Sequence, residues 1–169
     1  FDETLIYALA HHSILILKIV DGRWQIKKRI SLAGASVDSL VESAPGEIWF
    51  SNNYAGPERW RFDTNTFEIL DKKEFGKDDG LVLQKDDPQH VYRLDDKVHV
   101  VIADKGFLFD GKKFGPELAP PFTLVTRPHE LYVTETAIGA YAYTSREMWF
   151  RPKGETQWRS EEHTSELQS

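Results

Sequence analysis

The sequence contains no cysteine and one methionine, and it has no surplus of basic residues. Its 21 lysines and arginines face 27 aspartates and glutamates, which gives a net charge of −6. The lack of cysteine excludes a disulfide scaffold, a thiolate metal site and a cysteine nucleophile. Nucleic acid is not expected as a partner, because no basic surplus exists to neutralise phosphates. The 169 residues, 40% of them hydrophobic, are nevertheless enough to bury a core.

The sequence also lacks a long hydrophobic run. Its most apolar stretch, residues 5–20, is too short for a membrane span and is interrupted by residues 11–13 and by Lys18. The β-branched residues on both sides of this interruption predict two strands joined by a turn. No segment of eleven residues or more shows a regular 3.6-residue apolar stripe between caps. The sequence therefore predicts an all-β fold, with no membrane contact within this fragment.

Three segments repeat one pattern, in which an apolar strand ends in aspartate, a short turn follows, and an aromatic residue begins the next strand. The aspartates are Asp21, Asp63 and Asp110, which are 42 and 47 residues apart. An aspartate at the first position of a turn accepts hydrogen bonds from nearby backbone N–H groups, so each is predicted to close a hairpin. A period of about 40–50 residues with about four short strands is typical of a β-propeller blade.

The repeat predicts a partial β-propeller of about three and a half four-stranded blades, truncated at both ends. The blades are assigned to residues 1–31, 32–75, 76–120 and 121–158. The first blade is expected to keep its second to fourth strands, and the last only its first two strands, within residues 140–151. Two similar segments, residues 47–50 and 147–150, are both assigned to the second strand of a blade.

Both ends of the chain are expected to be artificial. The chain begins at Phe1 rather than at methionine, so a natural start and any signal peptide would lie outside it. Residues 159–169 resemble the conceptual translation of a short-read sequencing adapter. They are therefore expected to be a non-native, adapter-derived tail and are left out of the fold prediction.

Residues 46–63 and 91–110 resemble the two-component regulator propeller repeat. In that family a blade reads Gly-x-(Leu/Ile)-Trp-(Phe/Ile/Val), then a glycine-containing turn, then (Tyr/Phe)-Arg-(Tyr/Phe)-Asp. The first segment is similar, with Gly-Glu-Ile-Trp-Phe followed by Trp-Arg-Phe-Asp. Two departures are visible, because His99 replaces the tryptophan in the second segment and Ser51-Asn52 stands where the family usually has Gly-Thr.

This resemblance implies the periplasmic sensor region of a hybrid histidine kinase or a membrane-linked regulator, many of which respond to oligosaccharides. The function implied is that of a ligand-sensing, non-catalytic propeller fragment of a bacterial signalling receptor, with no cofactor. Its partners would be a small-molecule or oligosaccharide ligand, together with the missing blades and the downstream signalling domains of the parent chain. Two alternatives stay open. One is a fragment of a polysaccharide lyase or glycosidase, which needs acid and base residues near the axis. The other is a protein-interaction scaffold.

Loop placement selects the candidate ligand-binding residues. Consecutive strands alternate in direction, so the loop after the second strand and the connectors between blades open at the same end of the propeller. Long loops on a rigid scaffold are often functional. The ligand-binding residues are therefore predicted to be Asn52, Asn53, Tyr54, Arg59, Arg127 and His129. No catalytic residue is expected, nor a metal site, since adjacent His11 and His12 on a strand would point to opposite faces.

The tryptophans could serve either the core or a sugar-binding surface. Trp49, Trp60 and Trp149 fall within predicted strands, which favours core packing over sugar stacking. His99 takes the position of a core tryptophan and is interpreted as a hydrogen-bonded structural histidine.

Overall fold

A computed structural model describes residue 2 and residues 4–10, 12–32, 34–84 and 87–160. These residues form fifteen short strands and two single turns of 3-10 helix, at Lys77–Asp79 and Pro128–Glu130. The strands form four small antiparallel sheets arranged as the blades of a β-propeller, so the predicted all-β propeller fold is confirmed. In the described part of the chain, no helix has both the length and the apolar character needed to cross a membrane.

Each blade is a meander, because its strands pair in chain order. Blade 1 consists of β1 (Leu5–Leu9), β2 (Ser13–Val20) and β3 (Arg23–Ser31). Blade 2 consists of β4 (Leu40–Ala44), β5 (Glu47–Phe50), β6 (Glu58–Phe62) and β7 (Ile69–Glu74). Blade 3 consists of β8 (Gln89–Leu94), β9 (Lys97–Ile102), β10 (Lys105–Phe109) and β11 (Phe114–Pro116). Blade 4 consists of β12 (Tyr132–Thr136), β13 (Gly139–Tyr143), β14 (Met148–Pro152) and β15 (Arg159–Ser160).

The first strands of blades 2, 3 and 4 lie beside one another, since β4 contacts β8 and β8 contacts β12. The loop at residues 51–57 and the connectors that lead into β8 and β12 open at one end of these strands, which we call the upper end. The β1–β2 loop reaches the same end, where the carbonyl of His12 accepts the N–H of Leu32. β1 therefore runs in the direction of β5, and blade 1 keeps its second to fourth strands, as predicted.

Three hydrophobic cores lie between consecutive blades. The first core contains Ile48 and Phe50 of β5, whereas Trp49 of the same strand belongs to the second core. β9 divides in the same way, because Val100 enters the second core and Val101 the third. A central strand with apolar side chains on both faces is thus a consequence of its blade lying between two neighbours.

The tryptophans predicted for the core are found there. Trp49 is 1% exposed and stacks on Phe75 with ring centroids 4.8 Å apart, and Trp60 is also buried. Trp149 is half-buried and packs against the third core. His99 is buried and stacks on Tyr92, and its Nδ1 lies 3.2 Å from a carboxylate oxygen of Glu117 without hydrogen-bond geometry.

Two of the three predicted aspartate turns have the expected geometry. Asp63 Oδ1 accepts the backbone N–H groups two and three residues on, both at 2.8 Å, and Asp110 Oδ1 accepts the equivalent pair at 2.7 and 2.8 Å. These hydrogen bonds lower the pKa of both carboxyl groups. Asp21 differs, because it adopts φ 51° itself and forms a two-residue hairpin turn with Gly22 at φ 74°.

Blade 4 corrects one expectation. Two strands were expected within residues 140–151, whereas blade 4 has four, and residues 148–152 form its third strand rather than its second. The first strand, β12, was missed because four of its five side chains are exposed, so it lacks the apolar run by which the other strands were recognised. The last strand consists of Arg159 and Ser160, which pair with Phe150 and Trp149, respectively. These are the first two residues of the predicted tail, and its other residues, 161–169, lie outside the described residues.

Replacing Trp49 by alanine should lower the free energy of unfolding by about 3–5 kcal/mol, because it leaves a cavity in the second core. Tyr54 is a matched aromatic control, since it is 62% exposed and its replacement by alanine should cost less than about 0.5 kcal/mol. Urea unfolding followed by tryptophan fluorescence and circular dichroism measures both. Equal effects of the two substitutions would contradict the packing described.

Candidate ligand-binding groove

A concave groove opens at the upper end, where the first strands of blades 2, 3 and 4 begin. It consists of two adjoining cavities of about 230 and 410 Å³ that share His90 and Tyr132. We call the two together the axial groove. Its polar and aromatic lining residues are Asp38, Ser39, His90, Tyr92, His129, Glu130, Tyr132, Thr134, Tyr143 and Ser145.

Side chains of blade 2 hold β8 in place beside β4. Ser39 Oγ accepts the N–H of Val91 at 2.7 Å, and Asn53 Oδ1 accepts the N–H of Gln89 at 3.1 Å. The amide of Asn53 also donates to Asp38 Oδ2 at 2.6 Å. Backbone N–H groups that would otherwise be unpaired are thereby satisfied, and Asp38 is fixed at the rim of the groove.

His90 is a buried ionisable group of the groove, with 8% of its surface exposed. Its ring lies edge-on to the ring of Tyr132, with centroids 4.9 Å apart. Among the described residues, Nδ1 of His90 has no hydrogen-bond partner. Burial lowers the pKa of His90 below its ordinary value of 6.5, so the imidazole is neutral at pH 7.

The connector before β12 contributes a second polar cluster. His129 Nδ1 lies 2.7 Å from Asp104 Oδ1. Glu130 accepts hydrogen bonds from the Ser145 hydroxyl at 2.6 Å and from the Arg127 guanidinium at 2.8 Å. These two bonds lower the pKa of Glu130 to about 2, which keeps it a carboxylate at neutral pH.

The groove thus combines carboxylate acceptors, a neutral imidazole and an accessible aromatic ring. Carboxylates accept hydrogen bonds from ligand hydroxyl groups, and a tyrosine ring provides an apolar surface for the C–H groups of a sugar. The low pKa of Glu130 makes it a poor proton donor near pH 7, because efficient general acids have a pKa near the working pH.

Three of the residues predicted from the sequence belong to the groove or support it. His129 lines it, Asn53 positions Asp38, and Arg127 reaches it through Glu130. The structure thereby brings together one residue from the β5–β6 loop and two from the connector before β12.

The other three predicted residues have different environments. Asn52 is buried, and its side-chain amide donates to Glu58 Oε1 at 3.0 Å. Tyr54 is exposed and is not part of the groove lining.

Arg59 lies within β6 rather than in the preceding loop. Its guanidinium lies over the rings of Trp49 and Phe75. The same guanidinium is 3.3 Å from a carboxylate oxygen of Asp71.

Sequence reasoning missed Asp38, His90, Glu130 and Tyr132. Each lies within two residues of the start of the first strand of a blade. In a propeller these strands surround the axis, so polar and aromatic residues at their beginnings were the available signal. The prediction used only the loops and therefore passed over the strands.

Comparison with known proteins adds no family to this description. Neither the search of protein-family models nor the search of curated proteins finds a match to the chain. Across the described ranges, no three His, Asp or Glu side chains are grouped in a way that could hold a metal ion. The class that the structure defines is a β-propeller with a polar and aromatic axial groove, and the resemblance to the two-component regulator propeller stays a prediction.

Stability should fall as the pH drops below 6.5. Burial lowers the pKa of His90 and of His99 in the folded protein, so between that lowered pKa and 6.5 the unfolded chain binds more protons. The contribution of these two neutral histidines to the free energy of unfolding is therefore complete above pH 6.5. It is lost progressively as the pH falls below 6.5. Thermal unfolding at pH 7.5 and 5.5 measures this loss.

The variant His90→Gln should lose less stability between these pH values than the wild type, because the remaining dependence belongs to His99. If His90→Gln kept the whole pH dependence, the neutral state assigned to His90 would be wrong.

Proposed function

We propose that this propeller binds an oligosaccharide in the axial groove and serves as a non-catalytic sensor in a bacterial two-component signalling receptor. One observation supports the binding role above all others. The exposed ring of Tyr132 lies next to the neutral His90 and to the connector whose Glu130 provides a carboxylate acceptor, with Asp38 at the rim providing a second.

Tyr132 is held in a fixed orientation although 45% of its surface is exposed. One neighbour is Tyr143, whose ring stacks on it with centroids 5.6 Å apart and planes inclined by 20°. The other is His90, at 4.9 Å. A ring that is already fixed loses little entropy when a ligand stacks on it, which favours binding.

The carboxylates are prepared for binding in a similar way. Glu130 is oriented by Ser145 and Arg127, and it remains charged throughout the physiological pH range. A hydrogen bond from a ligand hydroxyl to a charged acceptor is stronger than one between neutral groups. This arrangement suits a neutral, polyhydroxylated ligand better than an anionic one, which the carboxylates would repel.

The signalling role and a periplasmic location are proposed on the resemblance of residues 46–63 and 91–110 to the two-component regulator propeller repeat. In that family the propeller binds the signal and other domains transmit it. The rigid blades and the groove at one end are compatible with such a division of labour.

Binding of neutral oligosaccharides tests the proposal. Isothermal titration calorimetry with the hexasaccharides of cellulose, xylan, arabinan and starch should find at least one ligand. Tyr132→Ala should weaken that binding by about tenfold, the effect of losing one aromatic contact.

Tyr54→Ala is the matched control, since it removes an exposed tyrosine of the same end that lies outside the groove lining. If Tyr54→Ala weakened binding and Tyr132→Ala did not, the site would lie in the loop at residues 51–57. Turnover of any of these saccharides would contradict the non-catalytic role.

A further inference from the structure

One corner of the axial groove contains an imidazole and a carboxylate side by side. His129 and Glu130 are neighbours in the single 3-10 turn before β12, and both line the larger cavity, of about 410 Å³. His129 Nε2 lies 3.8 Å from Glu130 Oε1, which is too far for a direct hydrogen bond. The side chains that orient these two residues come from blades 3 and 4 and from the connector between them, and both blades have all four strands. The two groups are therefore supplied and oriented entirely within this chain.

Asp104 determines which nitrogen of His129 carries the proton. It lies in the turn between β9 and β10, and its Oδ1 is 2.7 Å from His129 Nδ1. A carboxylate only accepts hydrogen bonds, so Nδ1 is the protonated nitrogen of this contact. In the neutral imidazole Nε2 is then a hydrogen-bond acceptor, because the bond made by one ring nitrogen fixes the state of the other.

Glu130 is held beside this nitrogen as a second acceptor. Its Oε1 accepts the Arg127 guanidinium at 2.8 Å, and its Oε2 accepts the Ser145 hydroxyl at 2.6 Å. A carboxylate oxygen has two lone pairs, so these two bonds orient the group and use one lone pair on each oxygen. A donor on a ligand can therefore bind to Oε1 next to the acceptor Nε2 of His129.

We propose that His129 Nε2 and Glu130 Oε1 together accept hydrogen bonds from two hydroxyl groups on adjacent ring carbons of a sugar, and that Asp104 is the positioning residue that makes Nε2 an acceptor. The proposal rests on the function proposed above and narrows the ligand class to saccharides with a free vicinal diol. A single hydroxyl has one proton and cannot donate to both atoms. Two hydroxyls on one ring supply two protons in a fixed relative position, so little entropy is lost when both bond.

The contact between Asp104 and His129 contributes little to stability. The side chain of Asp104 is 68% exposed and that of His129 is 37% exposed, and exposed pairs of this kind are weak. Removing the Asp104 carboxylate should therefore change the discrimination between ligands and leave the fold intact. A ligand without the two donors leaves both acceptors unpaired, and such a mismatch is the usual basis of discrimination by a polar site.

The position of the proton on His129 is measured without any ligand. Long-range proton–nitrogen NMR spectra of the 169-residue chain at pH 8 should show Nε2 unprotonated, with His129→Gln assigning the signal. In Asp104→Ala the proton should move mainly to Nε2, its usual position in a free neutral imidazole. Asp104→Glu keeps a carboxylate and should keep the wild-type pattern. A protonated Nε2 in the wild type, or no change in Asp104→Ala, would overturn the role of Asp104.

Binding of matched saccharides tests the vicinal diol. The linear hexasaccharides of cellulose, xylan, arabinan and starch carry free hydroxyls at positions 2 and 3, and their 2,3-di-O-methyl ethers keep the oxygens but lose the protons. Calorimetry should show that the wild type binds a hexasaccharide at least about tenfold more tightly than its ether. In Asp104→Ala this ratio should fall about fivefold, because a protonated Nε2 no longer accepts a hydroxyl. The same ratio in both proteins would mean that the methyl groups act only by their bulk, which contradicts the proposal.

Asp78→Ala is the matched control. It removes an exposed carboxylate from the connector into β8 that lines neither cavity, so the ratio should not change. If none of the four hexasaccharides bound the wild type, the proposed function would be wrong, while the NMR measurement would still decide the role of Asp104. If a hexasaccharide and its ether bound equally well, the vicinal-diol specificity would be wrong and the binding function would stand.

Discussion

The structure depends on one packing requirement, namely that each inner blade buries both faces of its sheet against neighbouring blades. A strand in such a position cannot alternate between apolar and polar residues. β5 accordingly directs Ile48 and Phe50 to one neighbour and Trp49 to the other, and all three are almost completely buried. Burial of this amount of apolar surface is the dominant stabilising contribution, and it determines where every other element can lie.

The same packing creates the groove. Because the blades lie face to face, their first strands lie side by side, and the beginnings of β4, β8 and β12 converge at the upper end. Backbone groups at these beginnings are not all paired within a sheet. Asn53 and Ser39 supply the hydrogen bonds between blades that the sheets do not. The polar rim of the groove is therefore partly a structural necessity and partly the proposed binding surface.

The features that were predicted best are those that depend only on residues close by in the sequence. The turns at Asp63 and Asp110 require only backbone N–H groups two and three residues away, so their spacing was sufficient. The strands of blades 2 and 3 followed from the same repeat. Blade 4 was misread because similar residues, 47–50 and 147–150, occupy different strands. Strand position depends on the pairing partners, which local similarity does not specify.

The candidate site was harder to predict because it is assembled from distant parts of the chain. His90 acquires its burial and its lowered pKa from neighbours that include Tyr132, 42 residues further along. Asn53 supports the site by donating to Asp38 and by accepting the N–H of Gln89, contacts that no pattern in the loop indicates. Arg59 was grouped with the loop before it, although it lies within β6, where its guanidinium packs over the rings of Trp49 and Phe75. Loops were therefore a poor guide to a site that consists largely of strand beginnings.

The most direct test of the central claim is a nuclear magnetic resonance titration of the isotope-labelled chain with an oligosaccharide that binds it. The account predicts that the largest chemical-shift changes fall on the ring signals of His90 and Tyr132 and on the amides around Glu130 and Ser145. The amides of residues 51–54 should change little. The largest changes in residues 51–54, or on the lower ends of the blades, with the signals of His90 and Tyr132 unmoved, would contradict the axial groove as the binding site.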